Sequence, residues 1–232
     1  MKKRLELVDT IRGLAIVSMI GYHACWIMCF FGILISKELL NSDAFNIWQK
    51  SICFTFIIIS GFAFNLSKRR LRNGIVTLSI GVIITLLSII FLYEARDIFG
   101  VLWLIGFCTL MMIPVDKLIG KALLRKKIIS FIIIIICILL YVVTRNINVG
   151  YINMLDGSII RLPKYLYTNL FMTFLGFMMP TFYSVDYFSV IPWSFLYIAG
   201  YCLYKVICGN KLEEKVLVHG IPFLSKWVDI HY

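Results

Sequence analysis

Long apolar runs separated by short polar segments dominate the chain. Six are clear, over residues 11–36, 47–66, 74–93, 98–115, 128–143 and 190–208. A helix needs about 20 apolar residues to cross a hydrocarbon core about 30 Å thick, so each run predicts a membrane-spanning helix. The third is nearly pure Ile, Leu, Val, Ser and Thr. The fifth, with Ile132 to Ile136 unbroken, is the most uniformly apolar and is expected to face lipid at least in part. Residues 165–183 are ambiguous, because this apolar stretch carries Asn169, Thr173, Gly176, Pro180 and Thr181. It either crosses or dips in and returns, and backbone that bends at membrane depth persists only where protein or a water cavity covers it. The pattern predicts an all-α fold: a polytopic transmembrane helical bundle of about six to seven spans, forming a single domain over residues 1–232.

Composition sharpens this picture. Of the 232 residues, 61% are hydrophobic and 15% charged, too little charge to cover a soluble domain of that size. The formal net charge is +11. The basic residues sit in clusters between apolar runs, which marks cytoplasmic loops and membrane lipid contact rather than nucleic acid. Lys68, Arg69, Arg70 and Arg72 lie between the second and third runs. Lys117, Lys121, Arg125, Lys126 and Lys127, with Asp116, lie between the fourth and fifth, whereas Glu94, Arg96 and Asp97 join the third and fourth. The amino terminus and both basic loops are therefore expected in the cytoplasm of a multi-pass cell-membrane protein. The tail holds Lys205, Lys211, Lys215 and Lys226 against Glu213, Glu214 and Asp229, which favours six spans with this tail also inside.

Met1-Lys2-Lys3-Arg4 has the charge of a signal-peptide start, but Glu6, Asp9 and Arg12 intrude and the apolar run is too long, so a retained first span is expected. The seven cysteines all lie within or at the end of apolar runs, with no CxxC pair, and read as small core residues. His219 and His231 have no neighbours that would make a metal site, and no metal is expected.

Candidate chemistry concentrates in the first run. Asp9, Arg12 and His23 share one helix face, because Arg12 and His23 are eleven residues apart, almost three whole turns. His23 is roughly 16 Å deeper than Arg12 at 1.5 Å per residue, near the middle of the bilayer. Charge inside a membrane costs at least ~2.5 kcal/mol by insertion scales, so such residues usually have a reason. Arg12 can bind a phosphate-bearing ligand, and His23 can take a proton from a hydroxyl or amine. The alternative is that Asp9 caps the helix, Arg12 reaches headgroups and His23 bonds a neighbouring helix. A second group is Ser184-Val185-Asp186-Tyr187-Phe188 with Ile191-Pro192-Trp193. Asp186 is either a polar wall of an outward-facing site, where it could orient His23, or a loop acid beside an interfacial belt of Tyr183, Tyr187 and Trp193. Ser60-Gly61, and Gly100 and Gly106 around Trp103, read as positions of close helix approach.

At these residues the chain resembles the bacterial DUF1624 proteins, related to the catalytic domain of heparan-alpha-glucosaminide N-acetyltransferase. The matching pieces are Asp9-Thr10-Ile11-Arg12-Gly13-Leu14-Ala15-Ile16 with His23, Phe56-Ile57-Ile58-Ile59-Ser60-Gly61, Gly100-Val101-Leu102-Trp103-Leu104-Ile105-Gly106, and Asp186-Tyr187-Phe188 before Pro192-Trp193. The opening motif is also similar to that of the broader membrane acyltransferase superfamily. The resemblance implies an enzyme that takes an acetyl or acyl group from acetyl-CoA, as co-substrate, on the cytoplasmic side and delivers it to an extracytoplasmic sugar or similar acceptor. Arg12, with Asp9, would lie on the CoA side. His23 would lie at the transfer point and Asp186 on the acceptor side. Expected partners are membrane lipids, acyl-CoA and a glycan or other cell-surface acceptor, with homo-oligomerisation left open. Members often carry an acid where this chain has Ile27 and a His where it has Trp103, and tend to end on one more apolar helix with a His, which this chain is expected to lack. These differences motivate a second reading, a non-catalytic member acting as a transporter-like or scaffold subunit.

Overall fold

Backbone polar groups find no partners in hydrocarbon, so a spanning segment must satisfy them within itself as a helix. The computed structural model follows that rule; it describes residues 6–33, 36–40, 42–93, 96–125 and 127–207. His219, His231 and the charges of the tail beyond Ile207 lie outside the described residues. The helices are α1 (Glu6–Phe30), α2 (Lys37–Leu40), α3 (Asp43–Phe64), α4 (Arg70–Phe91), α5 (Val101–Arg125), α6 (Lys127–Thr144), α7 (Leu170–Leu175) and α8 (Val190–Ile207). Among the described residues six are long and apolar enough to cross a membrane: α1, α3, α4, α5, α6 and α8. The fifth apolar run has only 11% of its spanning window buried, against 44% for the last, as a lipid-facing helix requires.

The ambiguous stretch 165–183 does not form a spanning helix. After a 3-10 turn at Lys164–Leu166 its one α-helix is α7, six residues long, capped by the Asn169 side chain accepting from the Met172 N–H (2.8 Å) and ended by Gly176 at φ 138°. Before it, β1 (Tyr151–Asn153) and β2 (Ile159–Arg161) pair antiparallel, with Tyr151 opposite Arg161. The Asp156 carboxylate closes the turn by accepting from the N–H and O–H of Ser158.

The chain divides into two compact units, one within Met1–Ile59 and Ile207–Tyr232, the other Ser60–Val206. In the first, α1 meets α3 through the Trp48 indole, which donates to Ser18 Oγ (2.8 Å) and stands edge-on to Tyr22 and Phe45. In the second, α4 lies on α5 along a seam of small residues. Gly74, Gly81 and Ser88 recur every seven residues and are all buried, the spacing that keeps one narrow face on a neighbouring helix. A Cβ at Gly106 of α5 would stand 2.6 Å from the Leu78 backbone N, and one at Gly61 of α3 2.0 Å from the Tyr197 carbonyl O of α8. Lipid gives apolar helices no hydrophobic reason to associate, so backbone contact at small residues supplies the dispersion energy instead.

Replacement of Gly106 by Leu forces α4 and α5 apart, since the obstructing atoms are backbone. The expected cost is ~3 kcal/mol, read as a lowered melting temperature of the detergent-solubilised protein. Gly21→Ala is the control: its nearest neighbours lie 3.8 Å away on Trp48, and it should melt no lower than the parent.

Candidate functional site

Asp9, Arg12 and His23 all lie on α1, and Asp186 lies in the second unit. Asp9 is inside the helix rather than at its cap, and its carboxylate lies 3.9 Å from Arg12 Nη1, one turn on. Both side chains are partly buried. An i,i+3 pair of opposite charge lets both residues enter the helix at lower cost than either alone. His23 is exposed on α1, beside the Tyr22 ring at 5.8 Å.

The helix that carries His23 has other bounds than expected: its apolar part is Leu7–Cys29 rather than 11–36, because the helix takes in Asp9 and Arg12 at its start and ends before Gly32, which adopts φ 69°. Along it His23 lies roughly 9 Å from the Cys29 end and roughly 24 Å from the Leu7 end at 1.5 Å per residue.

The second unit carries two polar ends, of which the sequence singled out only the Asp186 segment. At one, α4, α5 and α8 meet around Asp116. Its carboxylate accepts from Arg70 Nη1 and from the Tyr201 hydroxyl, and Lys205 Nζ lies 3.3 Å from Oδ1. Lys205 is 4% exposed. Arg70 also stacks over Phe64 at 4.5 Å, and Asn65 donates to the Tyr201 carbonyl (3.2 Å). The carboxylate fits because residue 120 is glycine, where a Cβ would stand 2.3 Å from Asp116 Oδ1. The one legible signal was a single acid within a basic segment.

The other end is built from residues 96–100 and 183–189. Asp97 donates its N–H to Ser88 Oγ (2.9 Å), and the next N–H, of Ile98, goes to Ser184 Oγ (2.9 Å). Phe99 is held at φ 60°, a conformation that costs a bulky residue ~1–3 kcal/mol. Packing against Phe174 (5.1 Å), Trp103 (5.5 Å) and Phe182 (6.1 Å) holds it there. The resulting turn folds the Asp97 carboxylate back on Gly100, whose missing Cβ would lie 2.7 Å from both its oxygens. Gly100 thus accommodates a carboxylate rather than a helix. Burial raises Asp97 to about 6, and burial together with the Asp97 charge raises Asp186 to about 7. Nearby, the buried Tyr187 hydroxyl donates to the Thr173 carbonyl, and its pKa is pushed up by burial. The signal for Asp97 was an acid three residues before glycine at a helix start. Among the described residues no group of three or more His, Cys, Asp or Glu is placed to hold a metal ion.

Neutralising Asp116 leaves Arg70 and Lys205 facing each other without a counter-charge. Asp116→Asn is expected to destabilise by about 3–5 kcal/mol, read as a drop in melting temperature, and Lys205→Met in the same chain should recover part of the loss.

No curated protein matches the chain, and no solved structure does. The family described as heparan-alpha-glucosaminide N-acetyltransferase, catalytic, matches residues 4–228. That match takes in all six spanning helices together with α1's polar face and both polar ends of the second unit, and the chain belongs to this family of membrane acyltransferase-like proteins.

Proposed function

We propose that the chain, working as one transmembrane domain, is an acyl-CoA-dependent acyltransferase that moves an acetyl or similar acyl group onto an extracytoplasmic sugar amine or hydroxyl. The observation that carries this reading is the polar face of α1 in a chain of this family: an Asp9–Arg12 pair at one end and His23 toward the other. The basic segments at Lys68–Arg72 and Lys117–Lys127 support a reading with the Arg12 end on the cytoplasmic side of a cell-membrane protein. Acyl-CoA carries phosphates, which suit a guanidinium held in place by a neighbouring carboxylate.

In the reaction the acceptor nitrogen or oxygen attacks the thioester carbon and gives up its proton to His23. The carbon–sulfur bond breaks as the carbon–nitrogen or carbon–oxygen bond forms. The leaving CoA thiolate takes the proton back from the imidazolium, so no charge accumulates. Asp186 serves the acceptor, on the extracytoplasmic side.

The full chain in lipid nanodiscs, given labelled acetyl-CoA and an amino-sugar acceptor, tests this. His23→Ala should lower kcat by ~100-fold or more, with acetyl-CoA binding retained. Arg12→Gln should weaken acetyl-CoA binding. Equal turnover in parent and His23→Ala removes His23 from the mechanism.

One observation favours the non-catalytic reading. Trp103 stands where members often carry His, and its indole is committed to Thr85 Oγ1 (3.1 Å) and to the Phe99 and Phe174 rings. On that reading the chain binds no acetyl-CoA at all, so Arg12-dependent binding excludes it.

A further inference from the structure

Residues 96–99 and 183–188 are tied by four hydrogen bonds. Arg96 Nε donates to the Tyr183 carbonyl (3.1 Å), the Val185 N–H to the Arg96 carbonyl (3.1 Å), the Ile98 N–H to Ser184 Oγ (2.9 Å) and the Phe188 N–H to the Phe99 carbonyl (2.9 Å). This stitching brackets both acids, Asp97 on one segment of chain and Asp186 on the other. Among the described residues neither carboxyl has a hydrogen-bond or ion-pair partner, and Asp97 Oδ1 is fully buried without a donor. Buried acceptors are nearly always satisfied, so this oxygen calls for a donor.

Among the described residues the surroundings supply no positive charge to it. Arg96 is the cation of the two segments, but it is turned to the Tyr183 carbonyl and to the rings of Tyr93 (4.7 Å) and Tyr183 (5.5 Å). From α4 comes Ser88, which accepts the Asp97 N–H and directs its own hydroxyl to the Thr85 and Asp97 carbonyls. From α5 comes Trp103, bonded to Thr85. The Tyr187 hydroxyl goes to Thr173. Two acids on segments tied this closely, with no cation between them among the described residues, do not both ionise readily, and the first proton to leave makes the second harder to remove.

We propose that Asp97 and Asp186 hold one proton between them, with Asp97 a positioning residue that sets the protonation state in which Asp186 meets the acceptor. The last clause rests on the acceptor-side role given to Asp186 above; the shared proton does not. Burial raises Asp97 to about 6, and burial with the Asp97 charge raises Asp186 to about 7, in keeping with a single proton retained up to neutrality.

Infrared titration of the full chain in nanodiscs tests the pair without any substrate. The parent should keep a protonated-carboxyl band well above the ordinary carboxylate range and lose it near pH 7. Asp97→Asn should lower the remaining Asp186 midpoint by about one pH unit, and Asp97→Glu should restore it. Asp186→Asn, which reads the coupling from the other partner, should lower the Asp97 midpoint. Midpoints unchanged in the single variants overturn the proposal. Stability provides a second reading. Both folded values lie above the unfolded ones, so the folded state binds the proton more tightly. Melting temperature should therefore fall as pH rises from about 4 through 7, and Asp186→Asn should flatten that fall; an equally steep fall in this variant counts against the pair. In acyl transfer, Asp97→Asn should move the alkaline limb of kcat/KM for the acceptor down by the same shift and leave KM for acetyl-CoA unchanged. An unmoved limb removes Asp97 from the acceptor side. A chain that transfers no acyl group overturns the acyltransferase reading, and the infrared midpoints then decide the shared proton by themselves.

Discussion

Hydrocarbon offers a protein chain neither hydrogen-bond partners nor a hydrophobic incentive for helices to meet. Both absences are visible in the second unit. The first makes every long apolar run a helix and banishes irregular backbone to the connections, where the β1–β2 hairpin and α7 sit. The second leaves helix contact to close packing. Gly74, Gly81 and Gly106 bring α4 and α5 together, and Gly61 brings α3 against the α8 backbone. Such seams hold helices at mid-length but contribute little to their rotation or register. Those are fixed at the two ends, where polar groups regain directionality.

The two ends solve that problem differently with the same device. At each, an aspartate lies over a glycine on its own segment, Asp116 over Gly120 and Asp97 over Gly100. Asp116 then meets two cations and a hydroxyl drawn from α4, α5 and α8. Such a cluster is worth most as a fixed tie between helices, because removing the shared acid strands both cations. Asp97 meets another acid and no cation among the described residues. Its end is bound instead by backbone hydrogen bonds and by the aromatic packing around Phe99. One end is charge-matched and suited to structure; the other leaves its charge free to respond to protons.

The spans were legible because a long, nearly uniform apolar run is hard to place anywhere but across a membrane. Their ends were less so. The sequence alone set the first span at 11–36, since Asp9 and Arg12 look like interruptions until their mutual pairing lets the helix run through them. Residues 165–183 resembled a span in hydropathy; Asn169 capping α7 and Gly176 ending it are local signals that a window average erases. Strands of three residues fall below any periodicity. Asp97, Asp116 and Lys205 were visible as loop or tail charges, but their significance lies in neighbours far along the chain, as in the Asp116 cluster, where the partners are 46, 85 and 89 residues away. No spacing rule reaches that far, because chain connectivity there is carried by whole helices. Asp186 was legible through a motif, and Asp97 beside it was not, since only the folded turn through Phe99 aims it there.

The place of His23 along α1, nearer Cys29 than Leu7, bears on what the proposed transfer would ask of a substrate. A residue at mid-bilayer would require both reactants to travel through hydrocarbon. At roughly 9 Å from the Cys29 end of that helix, a His23 acting as proposed would need only the flexible arm of an acyl-CoA to cover most of the helix length, with its phosphates left at the Arg12 end. The acceptor, polar and large, then has the shorter path. Histidine suits that depth because its ordinary pKa near 6.5 lets it sit uncharged in hydrocarbon and still take a proton transiently. Carboxylates do not have that freedom, and the acids of this chain that stand ready to exchange protons, Asp97 and Asp186, are placed outside the spanning segments. The division of labour between imidazole within the membrane and carboxyls at its edge follows from the cost of charge in each place.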